Sequence, residues 1–196
     1  MRKAPGRGAE DPWERTTGPF EVIRASRTDP RVLASFEQLL RSHRVAAFAT
    51  VGPASRAHVH VAYFAWSAEH DLFFYSWPAS RHARHLEANP SMAVALFDAH
   101  QRWGDPERGG QLYGTAHEAR GRWAEVARTV YAKRFPGFDR ARKQGGGPSP
   151  TPYRFRARCA RWFDSPLGGP PGLLEVTWPG RADGRARASA TIPSPK

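Results

Sequence analysis

The sequence predicts a mainly β fold, an antiparallel barrel of six or seven strands with flanking helices. Short apolar segments, several with an alternating pattern, recur from Val45 to Trp178 and are separated by turns that contain glycine or proline. In contrast, only two long segments and one short segment carry apolar residues at helical spacing. Many short strands with few helices are typical of a closed sheet with the helices packed outside it.

The first predicted element is a helix that begins at Asp29-Pro30, where a capping side chain precedes a proline at the first helical position. It should end near His43 or Arg44. The apolar period then changes, and residues 45–51, a turn at Gly52-Pro53 and residues 57–66 predict a hairpin. The remaining elements are strands at 72–76, 92–98, 111–117, 153–163 and 173–178, a short helix at 80–88 and a long helix at 121–135.

The length of 196 residues fits one domain, which we place at residues 19–179. Residues 1–18 and 180–196 have few large apolar side chains, so we expect disordered tails there. The net charge of +12 raises the possibility of a nucleic-acid partner, but the basic residues are spread over tails, helix, loop and strand rather than gathered in one block. We therefore favour a partner other than nucleic acid and keep a basic nucleic-acid binder as an alternative.

Three further features concern the compartment and the class of chemistry. Cys159 is the single cysteine, and no segment has the apolar length of a membrane helix or of a signal peptide, so we expect a cytoplasmic protein that does not bind membranes. A dinucleotide Gly-x-Gly-x-x-Gly motif and a Walker loop are both missing. The Gly-x-Ser-x-Gly elbow of hydrolases is missing too, which leaves no recognisable nucleophile.

The most informative segment is residues 73–90, in which an aromatic strand passes through a short turn into a helix that opens with Ser80, Arg81 and His82. Free backbone N–H groups and the helix dipole favour an anion at such a position, and the three side chains add donors. The pattern therefore predicts a phosphate site. The alternative is structural, with Tyr75 in the barrel core, Ser80 as an ordinary helix cap and Arg81 in solvent.

The histidines raise the possibility of a metal site. His58 and His60 would project from the same face of a strand, which makes them a workable pair of ligands. We favour polar strand residues that face solvent or a cofactor, because no His-Glu-x-x-His motif or carboxylate partner is nearby. His82 and His85 share a helix face, but Ser80 and Arg81 beside them indicate an anion rather than a cation. We therefore expect no metal.

The order Phe74-Tyr75-Ser76, Ser80-Arg81-His82, Leu86 and Asn89-Pro90 resembles the flavin mononucleotide (FMN) motif of the pyridoxamine 5'-phosphate oxidase-like split barrels. The preceding helix and hairpin and the later Gly114-Thr115-Ala116 agree with that family over residues 30–163. The resemblance implies a split barrel and a homodimer with FMN between the protomers. It also implies that Tyr75 and Ser76 lie along the ribityl chain and phosphate, and that Ser80, Arg81 and His82 hold the phosphate.

Further positions follow from the resemblance. His60 stands where the family often has an arginine, and His82 where a lysine is usual. Gln111 is displaced by two positions from a flavin-contacting glutamine, and Trp103 is a candidate to cover the flavin ring. The Arg-Leu-x-Pro ending of the vitamin-making oxidases is missing, so we expect a different, unidentified small-molecule substrate.

The expected function is an FMN-dependent oxidoreductase, and no residue is assigned as a general acid or base. The alternatives are a reductase that uses the deazaflavin F420 and a non-catalytic protein that binds flavin or haem.

Overall fold

The computed structural model describes residues 22–144, 149–164, 167 and 172–178. Both predicted tails, and the predicted domain boundaries at residues 19 and 179, lie outside these residues. The helices are α1 (Pro30–Ser42), α2 (Arg81–Ala88), α3 (Arg122–Arg134) and α4 (Phe138–Gln144). The strands are β1 (Val22–Arg24), β2 (Val45–Val51), β3 (Ala57–Tyr63), β4 (Ala65–Trp66), β5 (Leu72–Ser76), β6 (Ser91–Phe97), β7 (Gly109–Glu118), β8 (Thr151–Phe163) and β9 (Leu173–Thr177).

The sheet is a barrel that is split along one long strand. Its order is β1-β9-β8-β7-β6-β2-β3, and β5 pairs with β8 and with β4. The first half of β8 pairs with β5, from Thr151 to Phe155, and its second half pairs with β9, from Cys159 to Phe163. Because one strand serves two neighbours on the same side, the sheet divides there. The expected mainly β fold with flanking helices is confirmed.

The core is apolar and continuous, because alternate side chains of β2, β6, β7 and β8 point inward. Helix α1 closes one end of the barrel. Its Phe36 side chain is almost fully buried and lies 5.2 Å from the Trp162 ring, between ring centroids. Asp29 caps α1 by accepting a hydrogen bond from the Arg31 backbone N–H, and Pro30 occupies the first helical position, as predicted.

Helices α3 and α4 cover the opposite face of β5. Tyr131 of α3 is buried there and donates a hydrogen bond from its hydroxyl to the Tyr63 carbonyl oxygen. Nearby, the fully buried Asp71 accepts a hydrogen bond of 2.7 Å from the Arg154 Nε–H, and the Arg154 guanidinium lies 3.3 Å from the centroid of the Trp123 ring. Burial, charge pairing and ring contact together fix α3 against the barrel.

Most predicted elements are confirmed to within two residues at each end, apart from the hairpin strand expected at residues 57–66. That segment divides at Phe64 into β3 and the two-residue β4. The prediction of six or seven antiparallel strands missed β1 and β4, and β1 pairs with β9 in parallel. The third difference is α4, which follows the Phe135-Pro136-Gly137 segment expected to end the helical region.

No helix within the described part of the chain is long and apolar enough to cross a membrane.

Candidate functional site at the start of α2

The start of α2 lies beside the end of β5, and two serines meet there. Ser80 is the N-cap of α2, and its hydroxyl oxygen accepts a hydrogen bond from the Ala83 backbone N–H. The Ser76 hydroxyl lies 3.1 Å from the Ser80 hydroxyl and 2.5 Å from Nε2 of His82. Two hydroxyls and an imidazole therefore converge at the start of α2, where the first backbone N–H groups lack intrahelical acceptors.

Three histidines form a cluster next to these serines. His58 and His60 point from β3 toward the same side as the buried Phe48, and His82 reaches them from α2. The His60 and His82 rings are stacked, with 3.6 Å between centroids and planes only 8° apart. The His58 and His82 centroids are 6.1 Å apart, again with nearly parallel rings. We call His58, His60 and His82 the histidine cluster.

The environment of the cluster favours neutral imidazoles. Burial lowers the pKa of His60 to about 3, and the neighbouring His82 and His58 add to this effect. The pKa of His82 is lowered to about 4, mainly by burial and in addition by the neighbouring His58 and His85. The pKa of the more exposed His58 is lowered by burial, by the charge of Arg81 and by His85. Positive charge at this site at neutral pH therefore comes from Arg81.

The nearby His85 has a separate partner. Its Nδ1 atom lies 3.1 Å from the Thr50 hydroxyl oxygen, and its ring packs edge-on against His58 at 5.5 Å between centroids. Gly52 approaches the same imidazole, since a Cβ atom at Gly52 would lie 2.6 Å from the ring. These contacts hold the His85 ring between β2 and α2 at the border of the histidine cluster.

Four of the predicted cofactor-binding residues come together here: His60, Ser76, Ser80 and His82. Arg81 is exposed at the edge of the site, close enough for its charge to act on His58. The structure therefore brings five of the eight predicted residues to one place within a single chain.

The other three predicted residues lie elsewhere in the chain. Tyr75 points to the opposite side of β5 from Ser76 and packs against Tyr131 and Phe138, each at 4.8 Å between ring centroids. Trp103 is fully exposed in the β6–β7 loop. Gln111 is exposed on β7, where it accepts a hydrogen bond of 2.8 Å from the Tyr113 hydroxyl.

Gln111 belongs to a broad sheet face that points away from the barrel interior. The register puts Val61, Ala47, Ala95 and Gln111 in one row across β3, β2, β6 and β7. Large apolar side chains are exposed on it, including Val59, Val61 and Phe97, which are 59%, 66% and 60% exposed. We call this surface the outer face; its members are Val45, Ala47, Ala49, Val59, Val61, Tyr63, Ala93, Ala95, Phe97, Gln111 and Tyr113.

Sequence reasoning did not assign Thr50 to the site, although a signal for it exists. Thr50 is a buried polar residue on β2, paired in register with His58 on β3. A polar side chain at an inward position of a strand, opposite a histidine, is a recognisable sign of a polar site at that end of a barrel.

The geometry fits a phosphate group in three respects. The start of α2 offers backbone N–H donors and the positive end of the helix dipole. The Ser76 and Ser80 hydroxyls are 3.1 Å apart and both lie on that side of the helix. Arg81 brings a permanent positive charge to the rim. The arrangement can bind and orient an anion, and the closest hydroxyl–imidazole contact among the described residues, between Ser76 and His82, lies at the proposed anion position itself.

Comparisons with known proteins agree with this architecture. Residues 33–157 match the sequence model of the family described as pyridoxamine 5'-phosphate oxidase. No curated protein sequence gives a significant match.

Solved structures with the same fold come from proteins of diverse description. A haem-binding protein from Mycobacterium smegmatis matches with a TM-score of 0.58 and 16% identity, over 71% of this chain and 55% of its own. This chain thus corresponds to about half the length of that protein. HutZ, the haem storage protein of Vibrio cholerae, matches with a TM-score of 0.53 and 19% identity, over 63% and 88%.

A third structure is a Clostridium acetobutylicum protein related to general stress protein 26 of B. subtilis and assigned to the pyridoxinephosphate oxidase family. It matches with a TM-score of 0.56 and 13% identity, over 75% of this chain and 94% of its own. At these identities the structural matches establish the fold alone. The sequence match covers well over half of the chain, and with it the barrel and the α2 site, so the chain belongs to the pyridoxamine 5'-phosphate oxidase-like family.

Proposed function

We propose that this protein binds FMN, with the phosphate at the start of α2, and is an oxidoreductase that acts on a small molecule. The observation that carries the proposal is the convergence of Ser76, Ser80 and His82 at the first turn of α2, with Arg81 beside them. This donor set suits a terminal phosphate, and its residues belong to the segment whose order resembles the FMN motif of the family.

The chain's own residues would divide the work of binding. Ser76 and Ser80 would donate their hydroxyl hydrogens to phosphate oxygens, and the free N–H groups of the first turn would do the same. Arg81 would add a charge-assisted hydrogen bond, which is about twice as strong as a neutral one. His82 is a neutral donor in this environment, so it would orient the phosphate more than it would attract it.

Bound FMN would supply the hydride and electron chemistry, while the protein fixes the position of the ring and limits access to it. Ser76 and His82 are assigned to the phosphate in this proposal, so we assign no proton transfer to a side chain.

The outer face supports a homodimer as the functional unit. An apolar sheet surface of this extent on a monomer is a typical interaction surface, and Val59, Val61 and Tyr63 would be removed from water by a second copy. Gln111 lies on this face. Dimer formation would therefore bring Gln111 to the boundary between protomers, where the family places its flavin.

The test is the absorption spectrum of freshly purified protein, followed by titration with FMN. Flavin bands with maxima in the visible, bleached by NADPH or NADH, are the expected result. The double variant Ser80→Ala/Arg81→Ala should lose the flavin and remain folded, with a loss of about 1 kcal/mol in unfolding free energy because the N-cap of α2 is removed. A protein that is colourless as purified and binds no added FMN would refute the proposal.

Haem binding is the second candidate. Two of the structurally similar proteins are described as haem-binding or haem-storing, and the partly exposed His58 offers an imidazole that a haem iron could use. A Soret band after addition of haem, lost in His58→Ala, would favour this function over the flavin. Titration with F420 tests the third alternative in the same assay.

A further inference from the structure

We propose that the histidine cluster is a binding site for a divalent transition-metal ion of the zinc class. His58, His60 and His82 would be the protein ligands. The metal site would share His82 with the proposed phosphate site, but it concerns a cation and three imidazoles, and it is tested on protein without flavin.

The three side chains are close enough to share one ion, provided that the nearly parallel rings turn so that one nitrogen of each points to a common centre. One nitrogen from each ring can be chosen such that all three lie within 4.8 Å of one another. Zinc binds imidazole nitrogens at about 2.0–2.1 Å, so tetrahedral ligand atoms are about 3.3 Å apart. The nitrogen atoms must therefore move closer together, and the stacked rings must turn out of their parallel arrangement. Rotation of the His58 and His82 side chains can supply both movements, because both side chains are only partly buried.

His60 is the reason to expect a ligand at this place. Both of its ring nitrogens are buried, and neither has a hydrogen-bond partner. The Phe48 backbone across the strand pair offers only a weak interaction to the ring. A buried polar group without a partner costs about 1–3 kcal/mol. A metal ion at the centre of the cluster would give one His60 nitrogen a strong partner.

The composition of the cluster indicates which ion it would take. All three donors are imidazole nitrogens, which suit zinc, copper, nickel and ferrous iron, whereas magnesium and calcium need oxygen ligands. His58 and His60 are two residues apart on β3, and His82 faces them from α2, so a strand and a helix hold the ligands from two sides. Three protein ligands leave a fourth position for water or an anion.

The experiment is calorimetric titration of chelator-treated, flavin-free protein with Zn²⁺, repeated with Co²⁺ while the visible spectrum is recorded. We expect one ion per chain and the visible bands of tetrahedral Co²⁺. His58→Ala and His82→Ala should each weaken binding by at least about 100-fold, because even loss of a residue behind a ligand costs about 10–100-fold.

Two histidines provide matched controls. His85→Ala removes an imidazole that touches the cluster but already has Thr50 as partner, and His100→Ala removes a surface imidazole. Both variants should bind Zn²⁺ within about threefold of wild type, in line with the small effects of surface changes. His58 is only partly buried, so His58→Ala should remain folded and be a valid test.

The proposal is overturned if the titration does not give one Zn²⁺ per chain, or if His58→Ala binds Zn²⁺ as tightly as wild type. It is also overturned if His85→Ala weakens Zn²⁺ binding as much as His58→Ala does. Because the titration contains no flavin, failure here leaves FMN binding unaffected. Failure of FMN binding likewise leaves the metal result intact.

Discussion

The stacked pair of His60 and His82 predicts that the metal-free protein loses stability on the acid side of neutrality. Burial and the neighbouring imidazoles lower the pKa of His60 to about 3 and that of His82 to about 4. An unfolded histidine has a pKa of about 6.5. Below that pH the unfolded chain takes up protons that the folded chain does not. Stability that is present above pH 6.5 is therefore lost as the pH falls toward 3.

The magnitude follows from the two pKa values of His60. Between pH 7.5 and pH 5.0, His60 lowers the free energy of unfolding by about 2 kcal/mol, by the linkage between protonation and unfolding. His60 is not completely sealed from water, so we expect about 1–2 kcal/mol after screening. His82 acts in the same direction with a smaller effect, because it is closer to solvent.

Urea unfolding at pH 7.5 and pH 5.0, with chelator present, measures the effect. The variant His60→Phe keeps a ring that stacks on Phe48 but has no titrating nitrogen. Its loss of unfolding free energy between the two pH values should be smaller than that of wild type by about 1–2 kcal/mol. The control His100→Ala should lose as much as wild type. If His60→Phe and wild type lose the same unfolding free energy between the two pH values, burial does not keep the His60 imidazole neutral.

Three further predictions concern the fold and the assembly. Gly114→Ala should destabilise the protein by about 3 kcal/mol or more in urea unfolding, because a Cβ atom there would overlap the Arg156 carbonyl oxygen; an unchanged midpoint would contradict this packing. Val61→Arg on the outer face should convert the proposed dimer to monomer in analytical ultracentrifugation, whereas Thr129→Arg on α3 should not. Asp71→Asn should cost about 3 kcal/mol, measured by urea unfolding, since it breaks the buried pair with Arg154; a loss below 1 kcal/mol would argue against that pair.

The barrel could be predicted from the sequence because its signals are local. Strand β2 has the same bounds as predicted, and α2 begins one residue after its predicted cap. The alternation of Val59, Val61 and Tyr63 with His58 and His60 also separated the two sides of β3, since a strand has a period of two. The structure shows in addition that the apolar side is exposed and that the histidine side points inward. Short-range capping and alternation were sufficient for these elements.

Other features depend on contacts that are distant in sequence. Strand β1 is only three residues long and exists through its parallel pairing with β9, about 150 residues later. The stack of His60 on His82 likewise needs the approach of α2 to β3, which no spacing in the sequence reports. Tyr75 was expected beside Ser76, but adjacent residues on a strand face opposite sides, and Tyr75 packs under α3 and α4.

The central claim is that the start of α2 binds the phosphate of a mononucleotide. The most direct measurement compares FMN with riboflavin, which has the same ring but no phosphate, by quenching of flavin fluorescence. Wild type should bind FMN at least about 100-fold more tightly, as expected for two or more charge-assisted hydrogen bonds. In Ser80→Ala/Arg81→Ala that preference should fall below about tenfold, while the control Arg84→Ala, which removes an exposed charge on the same helix, should retain it. Equal affinity of the wild type for FMN and riboflavin would contradict the claim.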